Sequence, residues 1–234
     1  MAYFKEKRLA RLLGRVRAVI FDMDGLIVDN ESLQFEATNK VLSPYKIKLT
    51  TDDWIKKCLG RRAKEFFRDI VSENSISLKE GLEDLVERKN RYYQQLVSRR
   101  IDDIVRPGVV EFIDFLYGRY KLALATCAGR IETEAVIGKR GLGIMDKFEV
   151  IIMGDEVEYP KPDPQIYKLV ADKMKISSSS CLVLEDTAIG VEAARGAGMF
   201  VVAVPNRYTK DQDFSRANYV VTDLTPEARV INLK

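Results

Sequence analysis

Short apolar segments alternate with amphipathic segments along most of the chain. Five runs rich in β-branched and aliphatic residues end abruptly at polar, glycine or proline residues: 16–21, 121–126, 149–153, 181–184 and 200–204. Runs of this kind indicate strands that are buried on both faces, as in a parallel sheet. Helical periodicity fills the intervals at 108–117, 131–140, 164–174 and 188–197. The alternation predicts an α/β fold built on an open parallel sheet.

A different pattern separates the first two predicted strands. Residues 33–105 contain no clear strand and have the periodicity of amphipathic helices, with breaks near 43–44, 58–62 and 74–77. We therefore predict a core of residues 1–32 and 106–234, with an inserted helical domain at 33–105. Ligands of open α/β sheets bind at the carboxyl ends of the strands. The polar residues that end each predicted strand are consequently the candidates for a functional site.

Composition and charge exclude several classes of protein. The 234 residues, 46% of them hydrophobic, suffice for one large core and a second small domain. The net charge of +3 is concentrated in residues 1–17, which hold six basic side chains and one acidic side chain. This segment is a targeting peptide, a phosphate-contacting arm or, most simply, a solvated helix that leads into the first strand. We expect no nucleic-acid partner, because the rest of the chain has no basic excess.

Cysteine, histidine and hydropathy narrow the classes further. Three cysteines without metal-ligand spacing favour a reducing, cytoplasmic environment. No apolar run is long enough for a membrane span, so we expect no membrane partner and take a monomer as the default. Histidine is absent, which excludes mechanisms that need an imidazole base or an imidazole metal ligand.

The first predicted strand ends in two closely spaced acids. Asp22 and Asp24 stand two residues apart, and Gly25 follows them. Two carboxylates this close at a strand end raise the electrostatic energy unless they share a cation or a proton. Glycine permits the turn that leads the chain away. Taken alone, an Asp-x-Asp-Gly sequence more often marks a turn or a calcium-type loop than a catalytic pair.

Polar residues also end the second and fourth predicted strands. Glu185 and Asp186 end the fourth, where Asp186 or Thr187 also suits the N-cap of the next helix. Thr126 ends the second strand, before a short loop and another helix. A hydroxyl and free backbone N–H groups at a helix start form an anion site, although Thr126 also suits a plain cap. Capping and ligand binding are compatible at both places.

The segment after the third predicted strand contains a restrained lysine. Lys161 lies between Pro160 and Pro162, which hold it in a rigid extended segment. Together the strand ends supply acids for a hard cation, and a hydroxyl and a lysine for phosphate oxygens. Carboxylate oxygens suit Mg²⁺ far better than Zn²⁺.

The order of these motifs resembles the haloacid dehalogenase superfamily. FDMDG, Thr126, Lys161 within PKPDP, and LEDTAIGVEAARGAG follow one another across roughly residues 16–205. The helical insert is similar to the helical-cap branch, which includes β-phosphoglucomutases and sugar-phosphate phosphatases. The resemblance implies a Rossmann-like core with an inserted α-helical cap domain. It also implies a magnesium-dependent phosphatase that acts on a small phosphorylated metabolite, similar to a sugar phosphate.

The resemblance also implies roles for individual residues. Asp22 would be the nucleophile that forms an aspartyl-phosphate, and Asp24 the acid and base. Mg²⁺ would be held by Asp22, Asp24 and Asp186, and by Glu185 directly or through water. The phosphate would be bound by Thr126, Cys127, Arg130 and Lys161. We add Gly60, Arg61 and Arg62 as candidate cap contacts with the substrate. Trp54 is a further candidate, although a core aromatic explains it slightly better.

Two other functions remain open. A β-phosphoglucomutase-type phosphomutase shares these parts, but such mutases usually have a histidine near the position of Gln34, and a serine and a lysine where Ala128 and Gly129 stand. Those departures favour the phosphatase. Asp24 disfavours a true dehalogenase and a phosphonate-cleaving enzyme. A catalytically idle binding protein on the same scaffold is the alternative from another class, and the presence of every matched motif residue disfavours it.

Overall fold

The centre of the molecule is a seven-stranded sheet. The structure is a computed structural model that describes residues 3–78 and 81–231. The strands are β1 (Ala18–Phe21), β2 (Lys121–Ala125), β3 (Val150–Ile152), β4 (Cys181–Glu185), β5 (Phe200–Ala203), β6 (Tyr219–Val221) and β7 (Val230–Ile231). They lie in the order β3-β2-β1-β4-β5-β6-β7, and every pair is parallel except β6 with β7. The predicted open, mostly parallel α/β sheet is confirmed.

Helices cover both faces of this sheet. The described residues form α1 (Lys7–Leu13), α2 (Glu31–Leu42), α3 (Thr51–Lys57), α4 (Ala63–Glu73), α5 (Leu82–Ile104), α6 (Val109–Leu116), α7 (Arg130–Ile137), α8 (Gln165–Met174) and α9 (Ala188–Gly196). Val19 and Phe21 of β1 pack into one apolar cluster with α1, α6 and α7, whereas Ala18 and Ile20 pack into another with α8 and α9. Burial on both faces explains why the strand sequences are almost continuously apolar.

The inserted segment forms a helical cap with its own small core. Its apolar cluster contains Trp54, Phe66, Phe67 and Leu85 from α3, α4 and α5. The Trp54 ring contacts the Phe66 ring edge-on, with 5.8 Å between the ring centroids. Helix α5 is long enough to belong to both parts of the molecule, because residues of its second half, Tyr93 among them, join the core cluster. The predicted inserted helical cap is confirmed.

Two chain segments join the cap to the core, and they pair with each other. Val28 and Val105 form an antiparallel bridge. Next to it, the amide of Asp29 donates to the Ile104 carbonyl at 2.6 Å, and the amide of Arg106 donates to the Ile27 carbonyl at 2.9 Å. Helix α2 begins at Glu31, two residues before the predicted start of the cap at residue 33. The division into a core of residues 1–32 and 106–234 and a cap of residues 33–105 stays a prediction.

Two features of the chain ends differ from the sequence-based expectation. Strands β6 and β7 were not predicted, because runs of three and two residues are too short to show a period. Helix α1 forms as expected, but it is not simply solvated: Leu9, Leu12 and Leu13 are buried, while the basic side chains around them are exposed. No helix among the described residues is long and apolar enough to cross a membrane.

Candidate active site

Three carboxylates meet where β1 and β4 end. These neighbouring strands are parallel, with Phe21 opposite Leu184, so the residues that follow lie side by side. One carboxylate oxygen from each of Asp22, Glu185 and Asp186 lies within 4.8 Å of the other two, and all three residues are buried. The sheet topology therefore brings together acids that are more than 160 positions apart in the sequence.

Lys161 lies among these acids. Its Nζ is 2.6 Å from Asp22 Oδ1 and 2.7 Å from Glu185 Oε1, and it donates to the carbonyl of Ala125 at 3.1 Å. Burial alone would lower the pKa of Lys161, but the charges of Asp22 and Glu185 outweigh burial and hold it well above its ordinary value. Burial raises the pKa of Asp22, and the Lys161 charge opposes that rise. The lysine is therefore a fixed cation at the nucleophile candidate.

Glu185 uses both of its oxygens within the protein. Oε1 accepts from Lys161 and from the Tyr167 hydroxyl at 2.6 Å. Oε2 accepts from the amides of Asp186 and Thr187 and from the Thr187 hydroxyl, at 3.1 to 3.3 Å. A carboxylate that already accepts five hydrogen bonds has little capacity left for a metal ion.

One carboxylate oxygen of Asp186 is available to bind a cation. Its Oδ2 accepts from Asn206 Nδ2 at 2.7 Å, whereas its Oδ1 is buried without a partner among the described residues. Burial and the charges of Asp22 and Glu185 raise the pKa of Asp186 well above its usual range. A cation would relieve this crowding, and an all-oxygen donor set suits a hard divalent ion. The residues present therefore fit a divalent metal between Asp22 and Asp186.

Two glycines allow the carboxylates to lie this close to the backbone. Gly25 has a φ of +82°, and a Cβ there would lie 2.1 Å from Asp186 Oδ2. A Cβ at Gly190 would lie 1.9 Å from Glu185 Oε1. No side chain fits at either position without displacing a carboxylate.

Asp24 faces the same cavity from a less crowded position. Its Oδ1 accepts from Asn30 Nδ2 at 2.5 Å. Burial and the nearby Glu132 charge raise the pKa of Asp24 to about 6, although the Asn30 hydrogen bond and the Lys89 charge pull it down. A carboxyl group with this pKa exchanges a proton near neutral pH, as a general acid and base requires.

The loop after β2 brings only part of the predicted phosphate-binding set to the cavity. The Thr126 hydroxyl accepts from the Ala128 amide at 3.0 Å and is fully buried. Cys127 and Ala128 line the cavity, but Thr126 does not. Arg130 is exposed and pairs with Glu134 at 3.4 Å, away from the cavity. The structure thus brings Cys127 to the site and leaves the Arg130 side chain outside it.

The cap closes the other side of the cavity, which is narrow and has a volume of about 60 Å³. Gly60 and Arg61 line it as expected. Arg61 is already held, however, by Asp69 at 2.7 Å and by the Lys57 carbonyl at 2.8 Å. Arg62 points elsewhere, because it donates to the Val157 carbonyl at 2.8 Å and so ties the cap to the core.

Three charged residues of the cavity have no sequence motif. Lys89 of α5 reaches across to Glu132 of α7 at 2.6 Å, and their side chains are 3% and 6% exposed. Glu31, at the start of α2, accepts from the Trp54 indole N–H at 2.8 Å. Sequence reasoning missed all three. One signal was available: Lys89 lies midway between Leu85 and Tyr93 on a buried i, i+4 stripe, where a charged residue is out of place.

The comparisons with known proteins agree with this geometry. A model of the haloacid dehalogenase-like hydrolase family matches residues 19–204. The chain belongs to this family of haloacid dehalogenase-like hydrolases, and the predicted resemblance is confirmed.

Individual relatives within this family indicate the kind of reaction that its members catalyse. The chain is 35% identical to the phosphorylated carbohydrates phosphatase of Thermotoga maritima, over 79% of this chain and 82% of that protein. It is 31% identical to the β-phosphoglucomutase of Bacillus subtilis, over 81% of this chain and 83% of that protein. The crystal structure of CbbY from Rhodobacter sphaeroides in complex with phosphate has the same fold, with a TM-score of 0.83, 24% identity and coverage of 89% and 95%. The predicted class, a phosphatase of this family, is confirmed.

Proposed function

We propose that the protein is a magnesium-dependent phosphatase that hydrolyses a small phosphorylated metabolite, similar to a sugar phosphate, through an aspartyl-phosphate on Asp22. One observation carries the proposal: Asp22 accepts from the buried Lys161 at 2.6 Å, and one of its oxygens lies within 4.8 Å of an oxygen of Asp186, whose Oδ1 has no partner among the described residues. A carboxylate is a weak nucleophile towards a phosphate dianion unless the surrounding charge is neutralised. The positive charge that Lys161 holds at Asp22 meets part of that requirement.

Asp24 is the proposed acid and base. Its carboxyl group protonates the leaving oxygen when Asp22 attacks phosphorus, and the resulting carboxylate then takes a proton from the water that hydrolyses the aspartyl-phosphate. A pKa of about 6 supports both roles, because neither protonation state is strongly disfavoured near neutral pH. Asn30 supports the assignment by fixing one carboxylate oxygen of Asp24.

Mg²⁺ is the proposed metal, and Asp22 and Asp186 would hold it through their side chains, with Asp24 contributing its backbone carbonyl. Bound there, Mg²⁺ would neutralise charge on the transferred phosphoryl oxygens. Glu185 is assigned the outer position, through water, since both of its oxygens already accept hydrogen bonds.

The loop that begins at Thr126 is the proposed phosphate cradle. We assign phosphate binding to the backbone N–H of Cys127 and to Lys161, because both residues line the cavity, whereas the amides of Ala128 and Gly129 already donate to Thr126 and Glu132. Thr126 would shape this loop through its bond to the Ala128 amide. Gly60 and Arg61 would contact the leaving group from the cap, whereas Arg62 and Arg130 have weaker support.

A phosphomutase is the second candidate, and the similarity to the Bacillus subtilis β-phosphoglucomutase favours it. The mutase differs in what attacks the aspartyl-phosphate, a sugar hydroxyl instead of water. The test is incubation with β-glucose 1-phosphate and a bisphosphate primer. Glucose 6-phosphate without free phosphate would identify a mutase, and free phosphate would identify the phosphatase.

A screen tests the proposed function. Wild-type protein with Mg²⁺ is incubated with about a hundred phosphorylated metabolites and an aryl phosphate, and phosphate release is measured. We expect release that requires Mg²⁺ and that Asp22→Asn abolishes. No release from any substrate would favour the idle binding protein. A cytoplasmic location and a monomeric state stay predictions.

A further inference from the structure

The cavity contains more acids than cations, and its cations are already paired. The acids that line it are Asp22, Asp24, Glu31, Glu132 and Asp186, and the cations are Arg61, Lys89 and Lys161. Lys161 binds Asp22 and Glu185, Lys89 binds Glu132, and Arg61 binds Asp69. A divalent metal at Asp22 and Asp186 would compensate the core side of the cavity. Among the described residues that line the cavity, both cations of the cap side, Arg61 and Lys89, are thus already paired with a carboxylate.

Glu31 is the acid on the cap side that remains uncompensated. Its residue is 5% exposed, and its Oε2 accepts from Trp54 at 2.8 Å. Within residues 3–78 and 81–231, its Oε1 has no hydrogen-bond donor and its carboxylate has no ion-pair partner. One turn further along α2, Gln34 lines the cavity as well, and its Oε1 is buried without a partner in the same part of the chain.

Hydrogen bonds hold both side chains in place at the cavity. Trp54 holds Glu31, and Trp54 is itself wedged between the rings of Phe35 and Phe66 in the cap cluster. Gln34 is held by its donation to Glu132 at 3.3 Å. Gln34 Oε1 is a buried acceptor without a donor, which is unfavourable, and Glu31 Oε1 is a free acceptor beside it, so a ligand that brings hydroxyl groups is favoured here. A ligand that brings a second negative charge is repelled by Glu31.

We propose that Glu31, with Gln34 beside it, selects the leaving group of the substrate: the two side chains accept hydrogen bonds from hydroxyl groups of an uncharged polyol and disfavour a leaving group with a carboxylate or a second phosphate. The selection rests on the proposed function, since the leaving group lies opposite the phosphoryl group held at Asp22. Glu31 is thereby a specificity-determining residue that takes no part in the bond-breaking step.

Matched substrate pairs test the selection. Glycerol 3-phosphate and 3-phosphoglycerate differ in one hydroxymethyl group against one carboxylate, and fructose 6-phosphate and fructose 1,6-bisphosphate differ in one phosphate. Phosphate release is measured for wild type, Glu31→Gln and Glu31→Asp at about pH 8.5, where a carboxyl group with a pKa of about 7 is ionised. Glu36→Gln is the matched control, because it removes the same charge from the exposed side of the same helix. An aryl phosphate without hydroxyl groups reports on the reaction chemistry.

We expect wild type to prefer the uncharged member of each pair, in kcat/KM, by about a hundredfold. Glu31→Gln lowers this preference about tenfold, mainly through a lower KM for the anionic member, because the repelling charge is removed. Glu31→Asp keeps the charge and keeps the preference, and Glu36→Gln leaves it within about twofold. Turnover of the aryl phosphate by Glu36→Gln stays within about threefold of wild type. The Glu31 variants are compared by the ratio of kcat/KM within each substrate pair, so that a general loss of activity cancels.

Two outcomes overturn the selection alone. One is a wild-type preference for the anionic members, and the other is a preference that Glu31→Gln leaves unchanged while the aryl phosphate is still hydrolysed. If Glu31→Gln does not fold, loss of the preference in Glu31→Asp would contradict the role of the charge. Absence of hydrolysis with every substrate, the aryl phosphate included, would overturn the proposed function and the selection with it.

Discussion

The two walls of the cavity handle charge in opposite ways. On the core wall, Asp22, Glu185 and Asp186 crowd together at strand ends, and Lys161 pairs with Asp22 and Glu185. On the cap wall, Lys89 and Arg61 are each matched to one carboxylate. The crowded acids are an unfavourable arrangement unless a cation joins them, whereas the matched pairs are complete without a ligand. This difference supports our proposal that phosphoryl transfer takes place at the core wall and that the cap wall recognises the leaving group.

Lys161→Met should have the largest effect, because it removes the fixed cation of the core wall. We expect kcat/KM to fall about a thousandfold, since loss of one preorganised charge at a phosphoryl group costs this order of rate. Phosphate release by the metal-loaded enzyme measures it. Lys168→Met, on the exposed side of α8, is the control and should retain activity. A loss below tenfold would remove Lys161 from the proposed chemistry.

Lys89→Met tests the complete pair of the cap wall. It leaves Glu132 buried with the Gly129 amide and Gln34 as its remaining partners. We expect a loss of about 3–4 kcal/mol in the free energy of unfolding, as for other buried pairs that lose one member. Chemical denaturation measures this change. Lys64→Met breaks an exposed pair with Glu83 in the same cap and should leave the denaturation midpoint unchanged; equal midpoints for both variants would contradict the account.

Glu31, on the cap wall, makes the free energy of unfolding of the protein depend on pH. Burial and the Asp24 charge raise the pKa of Glu31 to about 7 in the folded protein, from an ordinary value near 4.5. Between these two values the folded state binds a proton that the unfolded state has lost, so stability falls as pH rises through this window. The expected loss is up to about 3 kcal/mol between pH 5 and pH 8 in metal-free protein.

Unfolding of wild type and of Glu31→Gln at both pH values checks the sign and the size of this effect. The variant lacks the group and should lose less stability over the window, whereas Glu36→Gln should follow wild type. A stability difference between wild type and Glu31→Gln that is independent of pH would mean that Glu31 does not titrate there.

Arg130→Ala should have the smallest effect. The side chain is exposed and pairs with Glu134 outside the cavity, so KM for a phosphorylated substrate should change less than about threefold. Steady-state kinetics with one substrate measure it. A tenfold rise in KM would restore the role in phosphate binding that the sequence motif implies.

The core wall could be predicted from the sequence because its information is local. Each strand is a short apolar run, and each site residue is the polar residue that ends the run, as with Asp22, Asp186 and Thr126. Parallel pairing then brings these ends to one edge of the sheet. The two last strands were missed because two or three residues carry no periodic signal.

The cap wall could not be predicted in the same way. Lys89 and Glu132 are partners because α5 packs against α7. Neither helix sequence indicates which residue of the other helix its charged side chain will contact. In the sequence, Glu31 is indistinguishable from any acidic residue in the first turn of a helix, where a negative charge is always favourable. Its burial depends on where α3 places Trp54. Such residues are visible only once the helices are packed.

Trapping the covalent intermediate tests the central claim most directly. Wild-type protein is mixed with Mg²⁺ and the best substrate of the screen and quenched during turnover; the quenched protein is then reduced with borohydride, which converts an aspartyl-phosphate to homoserine. Peptide mass spectrometry should then find homoserine at position 22, and none in Asp22→Asn. Phosphate release with an unmodified Asp22, or homoserine at Asp24 or Asp186 instead, would contradict the account.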